Sequence, residues 1–127
     1  MFLLSNKNGD DKMNLHVISI RGEKRWEVVF KENDRWQCGI YVPENTSLDD
    51  ITFLEKHNAP ELFVLVRGNI VLVLMDDEGN IKEVNMEEDK IYIVNTWHNA
   101  YRPNNCEGVA LVIERPDITT EYKSLNT

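Results

Sequence analysis

The sequence has few of the features that mark secretion, membrane insertion or a disulfide framework. Its 127 residues include only two cysteines, Cys38 and Cys106, which lie far apart and form no CxxC pair; free thiols in a reducing compartment are expected. The first four residues are apolar, but a polar run follows at once, whereas a secretory signal needs about 7–15 apolar residues. No stretch approaches the roughly 20 apolar residues that cross a bilayer. We therefore predict a cytoplasmic protein.

Positive charge is scarce as well. Lys and Arg number 14 against 22 Asp and Glu, which gives a net charge of -8. A chain this acidic has no broad attraction for nucleic acid or for an anionic membrane, so we predict a small-molecule ligand and neither of those partners. The six glycines are scattered, and no GxxxxGK, GxGxxG or GxSxG sequence occurs. Neither a phosphate-binding loop nor a serine nucleophile of that type is indicated.

Helical periodicity is missing too, except in the tail after Pro116, which fits either a short strand or a helix. Instead, nine or ten short runs rich in β-branched and aromatic residues alternate with polar turns. The first runs are 16–20, 26–30 and 36–42, and the polar stretch at 31–35 predicts a hairpin between the second and third. Later runs lie at 51–57, 61–67, 70–75, 81–86, 90–95, 97–102 and 109–115.

Such closely spaced strands are typical of an antiparallel sandwich or barrel. The dipeptide Asn104-Asn105 predicts a second hairpin, between the strands at 97–102 and 109–115. Trp97 and Tyr101 should face the layer opposite to His98. The length indicates a single domain over residues 1–127, with a loose polar arm over residues 1–14. A jelly-roll barrel, an all-β fold, suits a chain of this size.

Two of the three histidines, His57 and His98, fit a metal site together with nearby strand residues. Glu55 and His57 are two residues apart, so they project to the same side of a strand. Glu61 follows a turn that contains Pro60, and a hairpin there can bring it beside His57. His98 ends another strand pair and can reach the same place. Two imidazoles and two carboxylates form a ligand set for a divalent ion, whose charge permits their burial.

These residues resemble the first sequence motif of the cupins, G-x5-H-x-H-x3/4-E-x6-G. His57 stands at its second histidine, three residues separate it from Glu61, and six more lead to Gly68. Glu55 replaces the first histidine, and Asp49 replaces the initial glycine.

The second cupin motif, G-x5-P-x-G-x2-H-x3-N, is matched at its histidine by His98. Glu87 and Asn95 replace its two glycines, Ile93 replaces its proline, and Arg102 replaces its asparagine. The resemblance covers residues 40–114.

The resemblance implies a single-domain cupin, a double-stranded β-helix, with Glu55, His57, Glu61 and His98 as ligands of a divalent metal. Mn, Fe, Ni or Zn would suit this set. The implied function is to act on, or to sense, a small polar metabolite; whether the protein is an enzyme stays open, and no catalytic residue is identified. Small cupins usually pair, which implies a homodimer with contacts from residues 15–30.

Two alternatives remain open. Residues 73–122 are also similar to the metal-independent cupin-type sugar-nucleotide ketoisomerases and epimerases, which use histidines as acid and base at the positions of Glu55 and His57. The other alternative is a non-catalytic small-molecule binding module. Two further residues are candidates for a substrate pocket. Arg67 shares strand parity with Glu61 and could hold an anionic group, and Tyr41 lies near the barrel mouth, where it could donate a proton.

Overall fold

Ten strands form two five-stranded antiparallel sheets in the computed structural model of the chain, which describes residues 14–125. The strands are β1 (Trp26–Glu32), β2 (Trp36–Tyr41), β3 (Phe53–His57), β4 (Glu61–Gly68), β5 (Val71–Met75), β6 (Ile81–Asn85), β7 (Ile91–Val94), β8 (Trp97–Tyr101), β9 (Gly108–Glu114) and β10 (Thr120–Ser124). The first sheet has the order β1-β2-β9-β4-β7 and the second has the order β10-β3-β8-β5-β6. Two 3-10 helices, Leu48–Asp50 and Pro103–Asn105, complete the regular structure. The fold is therefore all-β, as predicted.

The main core lies between the two sheets. Alternation along each strand turns every second side chain inward, so that Phe63 and Leu65 of β4 meet Leu72 of β5 and Ala100 of β8. A smaller apolar cluster covers the other face of the second sheet, where Trp97 and Tyr101 pack against buried residues. Residues 97 and 101 thus face away from the main core, as their strand parity predicts.

The N-terminal part of the chain departs from the sequence prediction. The hairpin at 31–35 is confirmed, with Asn33 in the left-handed conformation at φ 48°. The run at 16–20 is not a strand; His16 instead places its ring 5.4 Å from that of Phe30. The expected arm over residues 1–14 lies outside the described residues, apart from Asn14. None of the helices between residues 14 and 125 is long and apolar enough to cross a membrane.

Two predicted hairpins are crossovers between the sheets. β3 pairs with β10 and β8, whereas β4 pairs with β7 and β9, so the turn before Glu61 carries the chain from one sheet to the other. The segment around Asn104-Asn105 does the same between β8 and β9 and contains the second 3-10 helix. Glu61 therefore faces His57 across the interior instead of lying beside it on a neighbouring strand. The tail after Pro116 forms β10, which pairs with β3.

Gly39 of β2 allows an indole ring to lie directly on the backbone. A Cβ atom at this position would lie 2.1 Å from the ring of Trp26, far inside contact distance. The register shift between β1 and β2 lies in β1, between Val28 and Phe30, and not at Gly39. The absent side chain of Gly39 thus makes room for Trp26, which lines the cavity described below.

Candidate metal site

Strands from both sheets bring Glu55, His57, Glu61 and His98 together at one end of the interior. Glu55 and His98 are directly paired across β3 and β8, and Glu61 approaches from the opposite sheet. Its Oε1 atom lies 2.8 Å from His57 Nε2 and 3.0 Å from His98 Nε2. Glu55 Oε1 lies 3.4 and 3.9 Å from the same two nitrogens. Ligand atoms of Glu55, His57 and His98 all fall within 4.8 Å of one another, a spacing that can hold a metal ion.

The far side of each imidazole is fixed by a hydrogen bond. His98 Nδ1 lies 2.8 Å from the carbonyl oxygen of Thr96. A carbonyl can only accept, so Nδ1 must carry the proton, and in the neutral ring Nε2 presents its lone pair to the site. His57 Nδ1 lies 2.9 Å from Thr120 Oγ1 of β10. Such partners orient histidines that ligate metals.

Glu61 Oε1 is buried and makes no hydrogen bond of acceptable geometry within the described chain, although both Nε2 atoms are close to it. A carboxylate oxygen facing the lone pair of His98 Nε2 is electrostatically unfavourable unless a positive charge lies between them. A shared proton or a metal ion would supply that charge. Two imidazole nitrogens and two carboxylates also form a suitable donor set for a divalent transition metal. The residues present therefore fit a metal ion.

The pKa shifts of these side chains follow from their mutual arrangement and favour a bound cation. Burial alone would lower the pKa of His57, but the carboxylates of Glu55 and Glu61 outweigh it and raise that pKa to about 10. Burial alone would raise the pKa of Glu61, but the nearby rings of His57 and His98 hold it well below its usual range. A proton thus occupies the metal-free site at neutral pH.

Glu114 is a site residue that the sequence interpretation missed. It ends β9, is only 8% exposed, and accepts a hydrogen bond of 2.7 Å from Gln37 Nε2 on β2. Burial, followed by the nearby Glu61 carboxylate, raises the pKa of Glu114 to about 7. The alternation of Ala110 and Val112, both buried, extends to residue 114, and this period would have placed its carboxyl inside.

A cavity of about 430 Å³ opens onto the site. Its lining includes Glu55, His57, His98 and Glu114, whereas Glu61 lies behind them. Five aromatic side chains complete much of the wall: Trp26, Tyr41, Phe53, Phe63 and Tyr122.

The structure separates the two candidate substrate-pocket residues. Tyr41 lines the cavity, and burial, helped by Glu55, raises the pKa of its hydroxyl. Arg67 lies elsewhere: its guanidinium pairs with Glu107 and donates to the carbonyl oxygen of Arg21. A register shift between Leu65 and Arg67 breaks the strand parity that the prediction assumed.

Comparison with known proteins identifies the fold. No family model matches the sequence, and no curated protein matches it. A cupin-2 domain protein of Shewanella frigidimarina superposes with a TM-score of 0.54 at 16% identity, covering 71% of this chain and 78% of the other.

Two enzymes superpose over part of their length. Hydroxypropylphosphonic acid epoxidase of S. wedmorenis has a TM-score of 0.53 at 17% identity, covering 62% of this chain and 42% of the epoxidase. A variant of oxalate decarboxylase of Bacillus subtilis has a TM-score of 0.51 at 11% identity, covering 68% of this chain and 23% of the decarboxylase. At these identities the likeness concerns the fold alone. The chain has the cupin fold, an antiparallel jelly-roll barrel with a His- and Glu-lined cavity.

Proposed function

We propose that this protein holds one divalent metal ion through Glu55, His57, Glu61 and His98 and uses it to act on, or to sense, a small polar metabolite. The observation that carries the proposal is the 3.0 Å approach of His98 Nε2 to the buried Glu61 Oε1. The Thr96 carbonyl directs a lone pair toward that oxygen, and a cation between the two atoms removes the repulsion.

When bound, a divalent ion would supply Lewis acidity toward an oxygen atom of a ligand. The chain's own residues position that ligand: Glu55 and Glu114 border the cavity, and Tyr41 presents a hydroxyl to it. A similar solved structure, that of a protein named HppE, contains cobalt(II) and a substrate. This supports the proposal that a cavity of this fold can hold a divalent metal ion beside a small molecule. For this chain the donor set suits Mn, Fe, Ni or Zn.

Elemental analysis of the full chain tests the metal proposal. Protein purified from a metal-supplemented culture should contain about one divalent ion per chain. His98→Ala should lose the ion, whereas His16→Ala, which changes the histidine near Phe30 outside the site, should retain it. Absence of any divalent ion from the wild-type protein would overturn the proposal, as would a full complement of metal in His98→Ala.

The two alternatives give different results with the same material. A metal-free sugar-nucleotide isomerase would contain no metal and would be protected from thermal unfolding by a UDP- or dTDP-sugar. A non-catalytic binding module would bind its ligand without turnover, and His57→Ala would change only the affinity. Because the donor arrangement fits a metal ion, we favour the metal-binding function over both.

We further propose a homodimer. Its support is the exposure of Leu15, Val17 and Ile18, three apolar residues in the segment 15–30 that is expected at the contact. Exposed apolar residues so close together favour burial against a second surface. Sedimentation should give twice the chain mass for the wild type and a single chain mass for a Leu15→Ser, Val17→Ser variant. Ile81→Ser, an exposed change on β6, is the control that should stay dimeric.

A further inference from the structure

Acidic groups outnumber basic ones around the cavity, even when a metal ion is allowed for. Glu44, Glu55 and Glu114 line it, and Glu61 lies directly behind. A divalent ion balances only two of these four carboxylates. Arg25 is the one Lys or Arg among the lining residues that the structure describes, and its Nε lies 3.3 Å from Glu44 at the exposed rim. Little positive charge is therefore left to bind an anionic ligand.

The position of Glu114 strengthens this conclusion. A metal ion held by Glu55 and Glu61 does not need a further carboxylate, yet Glu114 is buried beside them and borders the cavity. Its partner Gln37 contributes a neutral amide hydrogen and no charge. A carboxylate group of a ligand would approach Glu114 with like charge in a partly desolvated space, which is costly.

Five aromatic side chains form much of the remaining wall. Trp26, Tyr41 and Phe63 stand inside, with the rings of Tyr41 and Phe63 6.4 Å apart in an edge arrangement. At the mouth, Phe53 and Tyr122 are both exposed, and their ring centroids lie 5.7 Å apart. Aromatic faces attract organic cations through their quadrupoles, and they also stack on planar groups. The aromatic rings and the carboxylates therefore both favour a positively charged ligand.

We infer that the cavity selects an organic cation, an amine or ammonium group carried on an apolar or aromatic body, and that Glu114 is the residue that discriminates against anions. This inference rests on the proposed function, because it concerns the same cavity. The net charge of -8 adds a long-range attraction for such a ligand. Sugar nucleotides and dicarboxylates, which carry negative charge, are disfavoured by the same arrangement.

Three probes that share a phenylalkyl body test the inference: 2-phenylethyltrimethylammonium, 3-phenylpropanoate and neutral 3-phenyl-1-propanol. The quaternary ammonium cannot ligate a metal, so its binding reports the cavity wall alone. Affinities are measured by calorimetry at pH 8 on the metal-loaded chain and again after removal of metal by a chelator. We expect the ammonium to bind at least about tenfold more tightly than the carboxylate in the metal-free form. In the metal-loaded form the carboxylate can also ligate the ion, so that form compares the ammonium with the neutral alcohol, and the ammonium should again bind more tightly.

The variant Glu114→Gln keeps the size of the side chain and an oxygen for Gln37, and it should reduce that ratio several-fold. Glu121→Gln changes an exposed carboxylate of β10 outside the cavity and should leave the ratio within about twofold of wild type. The inference is overturned if the carboxylate binds the metal-free chain as tightly as the ammonium does, if the ammonium does not bind, or if Glu121→Gln has the same effect as Glu114→Gln. If the wild-type chain holds no metal, the proposed function is wrong. The inference is still tested in that case, because the titration of the metal-free chain measures charge selection without a metal.

Discussion

Glu61 of β4 and Glu114 of β9 are cross-strand neighbours whose carboxyl groups are shifted in opposite directions. The register pairs Leu62 with Ile113, which brings residues 61 and 114 side by side. Two imidazoles hold the pKa of Glu61 low, whereas burial and the charge of Glu61 raise that of Glu114 to about 7. One carboxyl is thus kept ionised for a cation while its neighbour retains a proton at mildly acidic pH.

Glu114 should make the metal-free protein less stable as the pH rises from about 5 to 7. An acid whose pKa is raised from 4.5 in the unfolded chain to about 7 in the folded one stabilises the fold while it is protonated. That contribution is complete below pH 4.5 and is lost as the pH passes through 7. Urea unfolding of Glu114→Gln should show a smaller decrease over this range than the wild type. An unchanged pH slope in this variant, matching that of the control Glu121→Gln, would contradict the assignment.

Metal binding should release a proton and strengthen with pH. His57, with a pKa of about 10 in the metal-free site, must lose its proton before Nε2 can ligate a metal. The apparent affinity should rise about tenfold per pH unit up to about pH 10. Competition with a chromophoric chelator between pH 6 and 8 measures the slope, and calorimetry in two buffers of different ionisation enthalpy counts the protons. An affinity independent of pH would refute a protonated His57.

Thr120→Val should weaken metal binding without unfolding the protein. The change removes the hydroxyl 2.9 Å from His57 Nδ1 and leaves the ring free to rotate. Loss of such an outer partner typically costs about 10–100-fold in metal affinity. Thr119→Val, at the exposed neighbouring position, is the matched control and should bind metal as the wild type does. Equal affinities for the two variants would show that Thr120 does not position the histidine.

Gly39→Ala should destabilise the fold by about 1–3 kcal/mol through overpacking. The new methyl group would clash with the ring of Trp26, which lines the cavity, and would displace that ring. Chemical denaturation gives the free energy of unfolding, and the emission of the displaced indole should also change. In a Trp26→Ala background the same substitution should cost little. If the penalty of Gly39→Ala persists without the indole, another contact is responsible.

Local patterns in the sequence predict the fold class and most residues of the candidate site, because both depend on strand alternation and on residue spacing. Glu55 and His57 face one side of β3, as residues two apart must, and the spacing from His57 to Gly68 marks Glu61. The sequence does not predict which of the two sheets each strand joins, because a short turn can connect two neighbouring strands of one sheet or lead from one sheet to the other. Arg67 was misplaced because a bulge reverses parity within a strand, a change that no residue in the sequence signals.

Glu114 shows another limit of the sequence. It stands at the end of an apolar run and before Arg115, where a charged side chain is usually exposed. The alternation in β9 directs this side chain inward, but only the packing of β9 between β2 and β4 shows that the end of the strand is covered and that the carboxyl is enclosed by Gln37 and Glu61. Burial of a strand end depends on neighbours that are distant in sequence, so local patterns determine it weakly.

The crossover before Glu61 has a consequence for the lifetime of the folded state. Glu55, His57 and His98 belong to one sheet and Glu61 belongs to the other, so an ion held by all four would join the two halves of the barrel. Separating the sheets would then require breaking coordination bonds as well as exposing the core. If the sheets part at the unfolding barrier, bound metal would slow the unfolding rate and protect the chain from proteases that act on opened forms. Metal supply would in that way set how long each molecule persists.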